Sequence, residues 1–576
     1  MNAWKTVYEK WNSFQNLDSS LKKELNHIKG NQAAIEDAFY KELTFGTGGM
    51  RGVLGPGINR MNIYTIRKAV NGLANYLKVN CVKVNDRGVV VAYDSRYMSQ
   101  EFALETAKVL GSYGIKTYVF DTIHPTPVLS FAVRYLGAVA GVMITASHNP
   151  PEYNGFKVYN EHGGQIVPDE ATEIISYIQQ TENELTVPFL KQAELEMEDL
   201  LVWIGSEVDN AYLVQLKQIS KLEQSELEKD KALNIVFTPL HGTSYDLVLK
   251  GLAQLSFPHV HVVDEQAMPD PEFSTVESPN PEEHQAFTLA IEKGNKVDAD
   301  ILIGTDPDAD RLGVAVRESN QSFKVLTGNQ LGALLLDYIL SHSDPVILPN
   351  ARMLKTVVTT ELGRAIATHY GVKTIDTLTG FKYIGEKIRQ FDKTGEKFIF
   401  GFEESYGYLI SSFARDKDAV QAAMIACEMA HFWKKQDKTL LAALESLYAK
   451  HGYFLEGMSS FTLKGKEGSD KITMIMEGVR KNPLTDIAGL KVKEMEDYAT
   501  GQRTIFGKEN KHETMDLPRE NAIKFILEKN SWVCLRPSGT EPKIKCYYGV
   551  CEKIKEESEA SLKSLKTAMD QVIENM

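Results

Sequence analysis

Three aspartates at alternate positions stand out in the segment GTDPDADRLG, residues 304–313. In an extended segment, the side chains of Asp306, Asp308 and Asp310 project to one side. Three close carboxylates repel one another unless a cation neutralises them, and ligands that are all oxygen favour a hard divalent ion such as Mg²⁺. The alternatives are a solvated acidic turn and an EF-hand loop, but the EF-hand glycine and distal glutamate are missing. The spacing predicts one Mg²⁺ per chain, with Arg311 placed to bind an anion that also touches the metal.

A serine in the stretch ITASHNPPEYNGFKVY, residues 144–159, follows an apolar run without the Gly-x-Ser-x-Gly elbow of acyl transfer. Taken alone, SHN is more typical of a cap or turn. A phosphate ester on Ser147 would instead supply a further hard ligand to the same Mg²⁺, and metal coordination would make its phosphorus more electrophilic. In combination with the acidic segment, the sequence predicts a phosphorylated Ser147 that ligates the metal. His148 and Lys157 are candidates to balance charge or move protons.

Two further loops carry polar side chains suited to a sugar phosphate. In GFEESYG, residues 401–407, Glu403 and Ser405 are spaced to face sugar hydroxyls, although a helix cap is equally typical of this loop alone. In RPSGTEPK, residues 536–543, an arginine and hydroxyls surround a glycine, a set that can form a phosphate nest, although this loop taken alone is slightly more typical of a glycine turn between strands. The nest residues are Arg536, Ser538, Gly539 and Thr540.

Additional polar and cationic groups occur near these loops. The segment TGFK contributes Thr379, Gly380 and Lys382, and RDK contributes Lys417. The glycine-rich segment FGTGGMRG adds Arg51, a weak signal by itself.

The elements that must position these residues are short apolar runs alternating with helical patterns. Near-continuous apolar strands alternating with helices indicate α/β units with mainly parallel, doubly covered sheets, whose ligand sites lie beyond the carboxyl ends of strands. The predicted strands are GVVVAYDSR (88–96), AVAGVMITAS (138–147), LNIVFTPLHG (233–242), ADILIGTDPD (299–308) and KFIFGFEES (397–405).

The 576 residues are too many for a single hydrophobic core. Changes along the chain in the pattern of strand-like, helical and charged segments predict four domains. The first three are α/β: 1–206 with the serine loop, 207–325 with the acidic segment and 326–450 with GFEESYG. The fourth, 451–576, is a smaller α+β domain with RPSGTEPK.

Composition excludes several classes of protein. The net charge of −13 argues against nonspecific binding to nucleic acid or to an anionic membrane surface. The sequence shows no apolar run of membrane-spanning length and does not start as a secretory signal. Five cysteines without CxxC spacing indicate reduced thiols, so we expect a cytoplasmic protein without a zinc site.

The motifs TASHNP, DPDADR, GFEESYG and RPSGTEP, in this order, closely resemble those of the α-D-phosphohexomutase family, particularly its phosphoglucomutase branch. FGTGGMRG, YDSR and NGFK fit the same pattern, so the resemblance covers the chain from about residue 40 to about 550. It implies four domains around a central cleft, three α/β and one smaller C-terminal domain, with one loop from each.

The resemblance also implies roles for single residues. Ser147 would carry the phosphoryl group, the three aspartates would hold Mg²⁺, and Glu403 and Ser405 would bind the sugar. The RPSGTEP residues would bind the phosphate that does not react, and Arg51, Lys157 and Lys417 match active-site cations of the family. Lys545, followed by Cys546, stands where relatives often carry an arginine.

The acid/base residue departs from part of the family. Some relatives have a histidine after the TG of the third domain, where this chain has Phe381 and Lys382. Lys157 is therefore our first expectation for this role, His148 the second and Lys382 the third.

The implied reaction interconverts glucose 1-phosphate and glucose 6-phosphate through glucose 1,6-bisphosphate, which is both intermediate and activator. We favour glucose because GFEESYG and the chain length resemble the glucose branch. Phosphomannomutase and phosphopentomutase remain alternatives. So do a metal-dependent phosphatase with an aspartate nucleophile and a nonenzymatic sugar-phosphate-binding protein.

Overall fold

The computed structural model describes residues 3–46, 48–222, 233–463, 465–538 and 543–575. Within these ranges the α-helices are α1 Ala3–Ser13, α2 Ser19–His27, α3 Gln32–Phe39, α4 Ile63–Asn80, α5 Val84–Arg87, α6 Ser99–Ser112, α7 Thr126–Tyr135, α8 Pro168–Gln179, α9 Gln192–Met197, α10 Ser206–Lys217, α11 Tyr245–Gln254, α12 Asp264–Ala267, α13 Thr288–Lys296, α14 Gly328–Ser341, α15 Glu361–His369, α16 Phe381–Thr394, α17 Ala419–Lys434, α18 Leu440–His451, α19 Gly465–Lys481 and α20 Lys555–Asn575.

The strands are β1 Phe45–Gly46, β2 Gly49–Val53, β3 Val89–Tyr93, β4 Thr117–Phe120, β5 Ala140–Ile144, β6 Tyr153–Asn160, β7 Leu201–Ile204, β8 Ile235–Thr238, β9 Val260–Val262, β10 Ile301–Thr305, β11 Leu312–Arg317, β12 Phe323–Val325, β13 Ala351–Thr356, β14 Lys373–Thr377, β15 Lys397–Glu403, β16 Gly407–Leu409, β17 Tyr453–Thr462, β18 Asp486–Ile487, β19 Leu490–Asp497, β20 Gln502–Ile505, β21 Lys511–Thr514, β22 Ile523–Leu527, β23 Trp532–Pro537 and β24 Lys543–Glu552. Short 3₁₀ turns occur at Glu184–Thr186, His284–Phe287, Leu348–Asn350 and Glu528–Asn530.

The chain divides into two compact units. The first unit comprises Met1–Thr327, Phe381–Gly401 and Ser405–Lys435. The second unit comprises Gly328–Gly380, Phe402–Glu404 and Gln436–Met576.

A seven-stranded sheet of the first unit, in the order β1-β2-β6-β5-β3-β4-β7, carries the serine loop. The strands β5, β3, β4 and β7 are parallel, whereas β6, β2 and β1 are antiparallel additions. The loop between β5 and β6 is too short for the crossover that a parallel partner requires, so β6 returns as a hairpin. Every residue of β3 and β5 is buried, as expected of strands covered on both faces.

A five-stranded sheet of the first unit, in the order β12-β11-β10-β8-β9, carries the acidic segment. The strand β8 is parallel to β9 and β10, and β10 continues into the antiparallel β11. The segment with the three aspartates is therefore the turn of a hairpin at the carboxyl end of β10. We call residues 305–311 the acidic turn.

The second unit contains the parallel pair β13–β14 and an eight-stranded antiparallel sheet. That sheet runs β17-β24-β23-β22-β19-β20-β21, with β18 paired to β19. The helix α20 buries Leu565, Met569 and Ile573 in the same core cluster as the sheet, so this last helix covers apolar surface. RPSGTEPK connects β23 to β24.

The five predicted strands are present as β3, β5, β8, β10 and β15. The GFEESYG loop is a strand, a turn at residues 404–406 and a second strand, so the helix-cap alternative is wrong. All five cysteines are free thiols. Among the described residues, every helix is too short or too polar to span a bilayer.

Candidate active site

Ser147 lies just beyond the carboxyl end of β5, in a turn that we call the serine turn, residues 145–153. Its backbone has a φ of +52°, and its N–H donates to Thr145 Oγ1 at 2.8 Å. The hydroxyl of this buried side chain donates to Asp306 Oδ2 at 2.8 Å and lies 3.1 Å from His148 Nδ1. Residues 159 positions apart in sequence thus meet through one hydrogen bond.

The three aspartates converge through a tight turn, and the extended geometry assumed from their alternation is wrong. The N–H groups of Asp310 and Arg311 donate to Asp306 Oδ1 at 3.0 and 2.9 Å, and Ala309 has a φ of +54°. One carboxylate oxygen from each aspartate lies within 4.8 Å of the others. The segment that contains Thr243 supports the turn, because the N–H of Thr243 donates to the Pro307 carbonyl at 2.9 Å.

The chemistry of this donor set fits a hard divalent cation. The three side chains are at most 2% exposed, which excludes the solvated acidic turn. Within the described part of the chain, Asp308 Oδ1 and Asp310 Oδ1 are buried without a hydrogen-bond donor, a costly state unless a cation supplies the missing partner. Burial, together with the charges of Asp310 and Asp308, raises the pKa of Asp306 well above its ordinary value.

Two lysines lie against these carboxylates. Lys157 Nζ is 2.8 Å from Asp308 Oδ2 and 3.6 Å from Asp310 Oδ2, and Lys417 Nζ is 3.1 Å from Asp310 Oδ2. Burial acts to lower the pKa of Lys157, but the two carboxylates outweigh it and hold that pKa above its ordinary value. For Asp308, burial acts to raise the pKa, and Lys157 reverses this so that the pKa lies below the ordinary range.

The remaining predicted groups around Ser147 are placed as follows. Partial burial, with the positive charges of Arg311 and Arg51, lowers the pKa of His148 to about 2, so its imidazole is neutral. Arg51 is exposed and donates to Asn149 Oδ1 of the serine turn at 2.6 Å. Arg311 forms an ion pair with Glu282, and its Nε lies 3.8 Å from Asp310 Oδ1.

The loop that presents Lys417 is fixed by buried hydrogen bonds on both sides of it. Tyr159 Oη donates to Asp416 Oδ2 at 2.8 Å, and Tyr212 Oη donates to Asp418 Oδ1 at 2.8 Å. Asp418 also caps α17 by accepting from the N–H of Gln421. Lys417 is thereby held with little freedom to leave the acidic turn.

Ser405 lies in the turn at residues 404–406 and belongs to the first unit. The carbonyl of the next residue, Tyr406, accepts from the N–H of Leu312 at 3.0 Å, and Gly407 forms a bridge with Arg311. These contacts tie the turn that carries Ser405 to the end of the acidic turn.

Most of the other predicted substrate residues belong to the second unit. Glu403 is the last residue of β15 and is 5% exposed. Thr379 precedes Gly380, which has a φ of +116°, a conformation that favours glycine. Gly380 is the last residue before α16. Lys382 follows in the first turn of α16, in the first unit.

Arg536 and Ser538 lie at the end of β23 in the second unit. Arg536 Nε donates to Glu520 Oε1 at 2.6 Å, and this carboxylate keeps the arginine's pKa raised although burial opposes it. The N–H of Ser538 donates to the Lys543 carbonyl at 2.7 Å, and Lys545 lies opposite Arg536 on β24. Gly539 and Thr540 lie outside the described residues.

Our sequence reasoning missed two side chains that touch the site. Thr126, at the start of α7, donates its hydroxyl to Asp308 Oδ2 at 3.0 Å. Arg96, from the YDSR segment beyond β3, donates to the carbonyls of the serine turn. The position of YDSR at the carboxyl end of a predicted strand was the available signal for Arg96, whereas nothing in the sequence around Thr126 singles it out.

Comparison with known families gives four matches in chain order. They are the phosphoglucomutase/phosphomannomutase α/β/α domain I at residues 42–185, domain II at 210–320, domain III at 327–451, and the C-terminal domain at 479–561. The exact boundaries of the four domains remain a prediction.

Curated relatives and solved structures agree with these matches. The chain is 41% identical over 528 residues to a phosphoglucomutase of Staphylococcus aureus strain MRSA252, covering 91% of this chain and 92% of that protein. It is 41% identical over 536 residues to a phosphoglucomutase of Staphylococcus epidermidis strain RP62A, covering 92% and 94%. The fold resembles that of parafusin from Paramecium, with a TM-score of 0.67, 16% identity and coverage of 93% and 95%. It also resembles a phosphoglucomutase/phosphomannomutase family protein of Burkholderia thailandensis, with a TM-score of 0.64, 18% identity and coverage of 92% and 97%.

Proposed function

Because this chain belongs to the phosphoglucomutase/phosphomannomutase family, whose members are mutases of the isomerase class, we propose that it interconverts glucose 1-phosphate and glucose 6-phosphate. Ser147 carries the phosphoryl group, and glucose 1,6-bisphosphate is the intermediate and activator. The observation that carries this proposal is the hydrogen bond between Ser147 Oγ and Asp306 Oδ2, which puts the serine against the acidic turn.

The bond changes balance over two transfers. In the first, the bond between phosphorus and Ser147 Oγ breaks and a bond from phosphorus to the free sugar oxygen forms. The proton of that sugar hydroxyl passes to a base of the site, and Ser147 Oγ takes up a proton as it leaves. In the second, the bond between the sugar oxygen and the other phosphorus of the bisphosphate breaks and a bond from that phosphorus to Ser147 Oγ forms. The hydroxyl proton of Ser147 passes to a base of the site, and the sugar oxygen takes up a proton. One serine therefore serves both transfers.

The residues that would hold the metal are Asp306, Asp308 and Asp310, with the phosphate of Ser147 as a further ligand. A bound Mg²⁺ would stabilise negative charge on the transferring phosphoryl group and make the phosphorus more electrophilic. The buried carboxylate oxygens without a donor support this assignment.

Lys157 is our choice for the group that moves protons. Its raised pKa keeps it protonated, so its ammonium group, which lies in the same site as the Ser147 hydroxyl, acts as the acid that gives a proton to the leaving oxygen. His148 is second, because its Nδ1 lies 3.1 Å from Ser147 Oγ, although its pKa of about 2 makes the imidazole a weak proton acceptor. Lys382 is third, and Arg51 and Lys417 supply positive charge around the transferring group.

The sugar and its second phosphate are assigned to the remaining residues. Glu403 and Ser405 combine acceptors and a donor suited to sugar hydroxyls, and Thr379, Gly380 and Arg311 supply further polar groups. The phosphate that does not react is assigned to the guanidinium of Arg536 with Ser538, Gly539 and Thr540.

Glucose is the proposed sugar because the matched relatives at 41% identity are named phosphoglucomutases. A coupled assay with Mg²⁺ and a trace of glucose 1,6-bisphosphate, comparing glucose, mannose and ribose 1-phosphates, tests this choice. We expect the highest kcat/KM with glucose 1-phosphate. A higher value with mannose or ribose 1-phosphate would replace glucose by that sugar.

Intact mass tests the covalent part of the proposal. The purified protein, incubated with glucose 1,6-bisphosphate, should gain a phosphate-sized adduct that Ser147→Ala lacks, and that variant should be inactive. An adduct that persists in Ser147→Ala, or an aspartyl phosphate, would favour a phosphatase-like reaction instead.

A cytoplasmic location is part of the same proposal. Five free thiols and a substrate class from intracellular sugar metabolism support it.

A further inference from the structure

Arg96 is a fully buried arginine beneath the serine turn. It follows β3 by three residues, and its side chain has no exposed surface. Its Nη1 donates to the carbonyls of Pro150 at 2.8 Å and Tyr153 at 3.1 Å. Its Nη2 donates to the carbonyl of Ser147 at 2.5 Å and to that of Asn149.

Arg96 is itself held on its other sides. Asp94 Oδ2 lies 3.4 Å from Arg96 Nε, and Asp94 Oδ1 accepts from the N–H of Arg96 at 3.0 Å and from the Ser99 hydroxyl at 2.7 Å. The ring of Phe273, which is 1% exposed, covers the face of the guanidinium at 4.9 Å. The guanidinium therefore has a fixed plane and a fixed set of acceptors.

The serine turn needs such a support for two reasons. A φ of +52° is unfavourable for a residue with a side chain, so Ser147 keeps it only where the surroundings impose it. The carbonyls of Ser147, Asn149 and Tyr153 also need donors, because an unpaired buried carbonyl is costly, whereas the carbonyl of Pro150 also accepts from the N–H of Tyr153 at 3.1 Å. One planar guanidinium meets both needs by gathering these four carbonyls around itself.

We propose that Arg96 is a positioning residue for phosphoryl transfer, which sets the direction of Ser147 Oγ towards Asp306 through the backbone of the serine turn. This inference rests on the proposed function for its kinetic part. Arg96 acts through the carbonyls of the turn, and its ion pair is with Asp94. Both transfers use the same serine, so both transfers depend on Arg96.

A lysine cannot replace this arginine. An ammonium group has three donors around one nitrogen, whereas the guanidinium presents donors on separate nitrogens in one plane. Arg96→Lys keeps the charge opposite Asp94 but leaves some carbonyls of the turn without a donor. The turn should then relax from the conformation that aims Ser147.

Arg96→Lys is tested beside a matched control, Arg67→Lys. Arg67 is also a buried arginine of the first unit, paired with Glu105 at 2.6 Å and stacked on Phe189 at 3.9 Å. Arg96→Lys should lower kcat by about 100-fold, the usual effect of misplacing a reacting group by about 1 Å, with KM changed less than about threefold. Arg67→Lys should lower the thermal midpoint without a comparable loss of kcat.

Two further measurements separate positioning from loss of fold. Hydrogen exchange at residues 145–153, measured on the full-length protein, should become faster in Arg96→Lys than in Arg67→Lys at equal global stability. In Arg96→Ala, guanidinium chloride at concentrations far below denaturing should restore part of kcat, which a merely unfolded variant would not show. Phe273→Leu, which uncovers the guanidinium while leaving its donors, should give a smaller loss of kcat than Arg96→Lys.

Equal effects of Arg96→Lys and Arg67→Lys on kcat and on exchange of the serine turn would overturn the proposal. Unchanged exchange at 145–153 would do so independently of any activity. If the wild-type protein has no mutase activity on any sugar, the proposed function fails, while the exchange experiment still decides the role of Arg96.

Discussion

The ammonium group of Lys157 lies 2.8 Å from Asp308 Oδ2, and the same oxygen accepts the hydroxyl of Thr126 at 3.0 Å. A cation of the chain therefore neutralises part of the acidic turn before any metal binds. The other oxygen of the same carboxylate, Asp308 Oδ1, has no donor among the described residues. Lysine and metal can thus share Asp308, but each weakens the electrostatic attraction of the site for the other.

Replacing Lys157 by Met should separate its two effects. Loss of the ammonium group removes a competing positive charge, so the Kd for Mg²⁺ should fall by about tenfold, or roughly 1.4 kcal/mol. Loss of the proton-moving group should lower kcat by about 10²- to 10⁴-fold. Titration calorimetry with Mg²⁺ and the coupled assay measure the two quantities.

Lys417→Met is the matched control, since Lys417 pairs with Asp310 at 3.1 Å. It should tighten Mg²⁺ binding similarly with a smaller loss of kcat. A Lys157→Met enzyme with unchanged kcat would transfer the acid/base role to His148 or Lys382.

Asp308→Asn should abolish most turnover while leaving the fold intact. The amide oxygen can still accept from Thr126, but the charge that attracts the metal is lost. We expect kcat to fall by about 10²-fold or more at saturating Mg²⁺, with an unchanged circular dichroism spectrum. Asp264→Asn, which removes an exposed carboxylate paired with Lys293, should have no such effect. Full activity of Asp308→Asn at saturating Mg²⁺ would count against the metal assignment.

The acidic turn shows what sequence could and could not predict here. The alternating aspartates after an apolar run correctly predicted a site at the end of β10. Residue types alone indicate both the end of a strand and the presence of carboxylates. Their convergence was expected from extended geometry, yet it arises from a left-handed Ala309 and from two N–H groups that donate to Asp306. The residue types in a segment do not reveal which non-glycine residue adopts a positive φ. The left-handed conformation of Ala309 could therefore not be predicted.

The contacts of Ser147 divide in the same way. Its place beyond β5 followed from the apolar run, and its pairing with the acidic turn was inferred from complementary chemistry. The four carbonyls gathered by Arg96 could not be predicted, since they are backbone groups whose direction depends on a turn. GFEESYG gave an ambiguous pattern because glutamate and serine are common both at helix starts and in hairpin turns.

Glu403→Gln should impair sugar binding more than phosphorylation of Ser147. The amide keeps the size of the carboxylate but loses its charge and one acceptor site, so KM for glucose 1-phosphate should rise by about tenfold. Intact mass should still show the phosphate adduct after incubation with glucose 1,6-bisphosphate.

Glu404→Gln is the neighbouring control for this variant. Glu404 accepts the hydroxyls of Thr356 and Thr359 at 3.2 and 3.1 Å, which is a structural role. This control should lower the thermal midpoint with little change in KM. Loss of the adduct in Glu403→Gln, or an unchanged KM, would contradict the sugar-binding assignment.

Asp418 should make the stability of the first unit depend on pH. Burial, only partly offset by donors from Gln421 and Tyr212, raises its pKa from 3.8 to about 6. The folded state therefore binds its proton at higher pH than the unfolded state does. Above pH 6 the folded protein carries the whole cost of the buried charge, about 3 kcal/mol, and roughly half of this cost is relieved at pH 5.

Asp418→Asn removes this titration while keeping the cap, because the amide oxygen can accept from the N–H of Gln421 and from Tyr212 Oη. The thermal midpoint of the variant minus that of the wild type should therefore be more positive at pH 8 than at pH 5. Other titrating groups contribute equally to both proteins and cancel in this difference. A difference that stays constant between pH 5 and 8, or that becomes more negative at pH 8, would show that the buried carboxylate is stabilised as an anion by its donors.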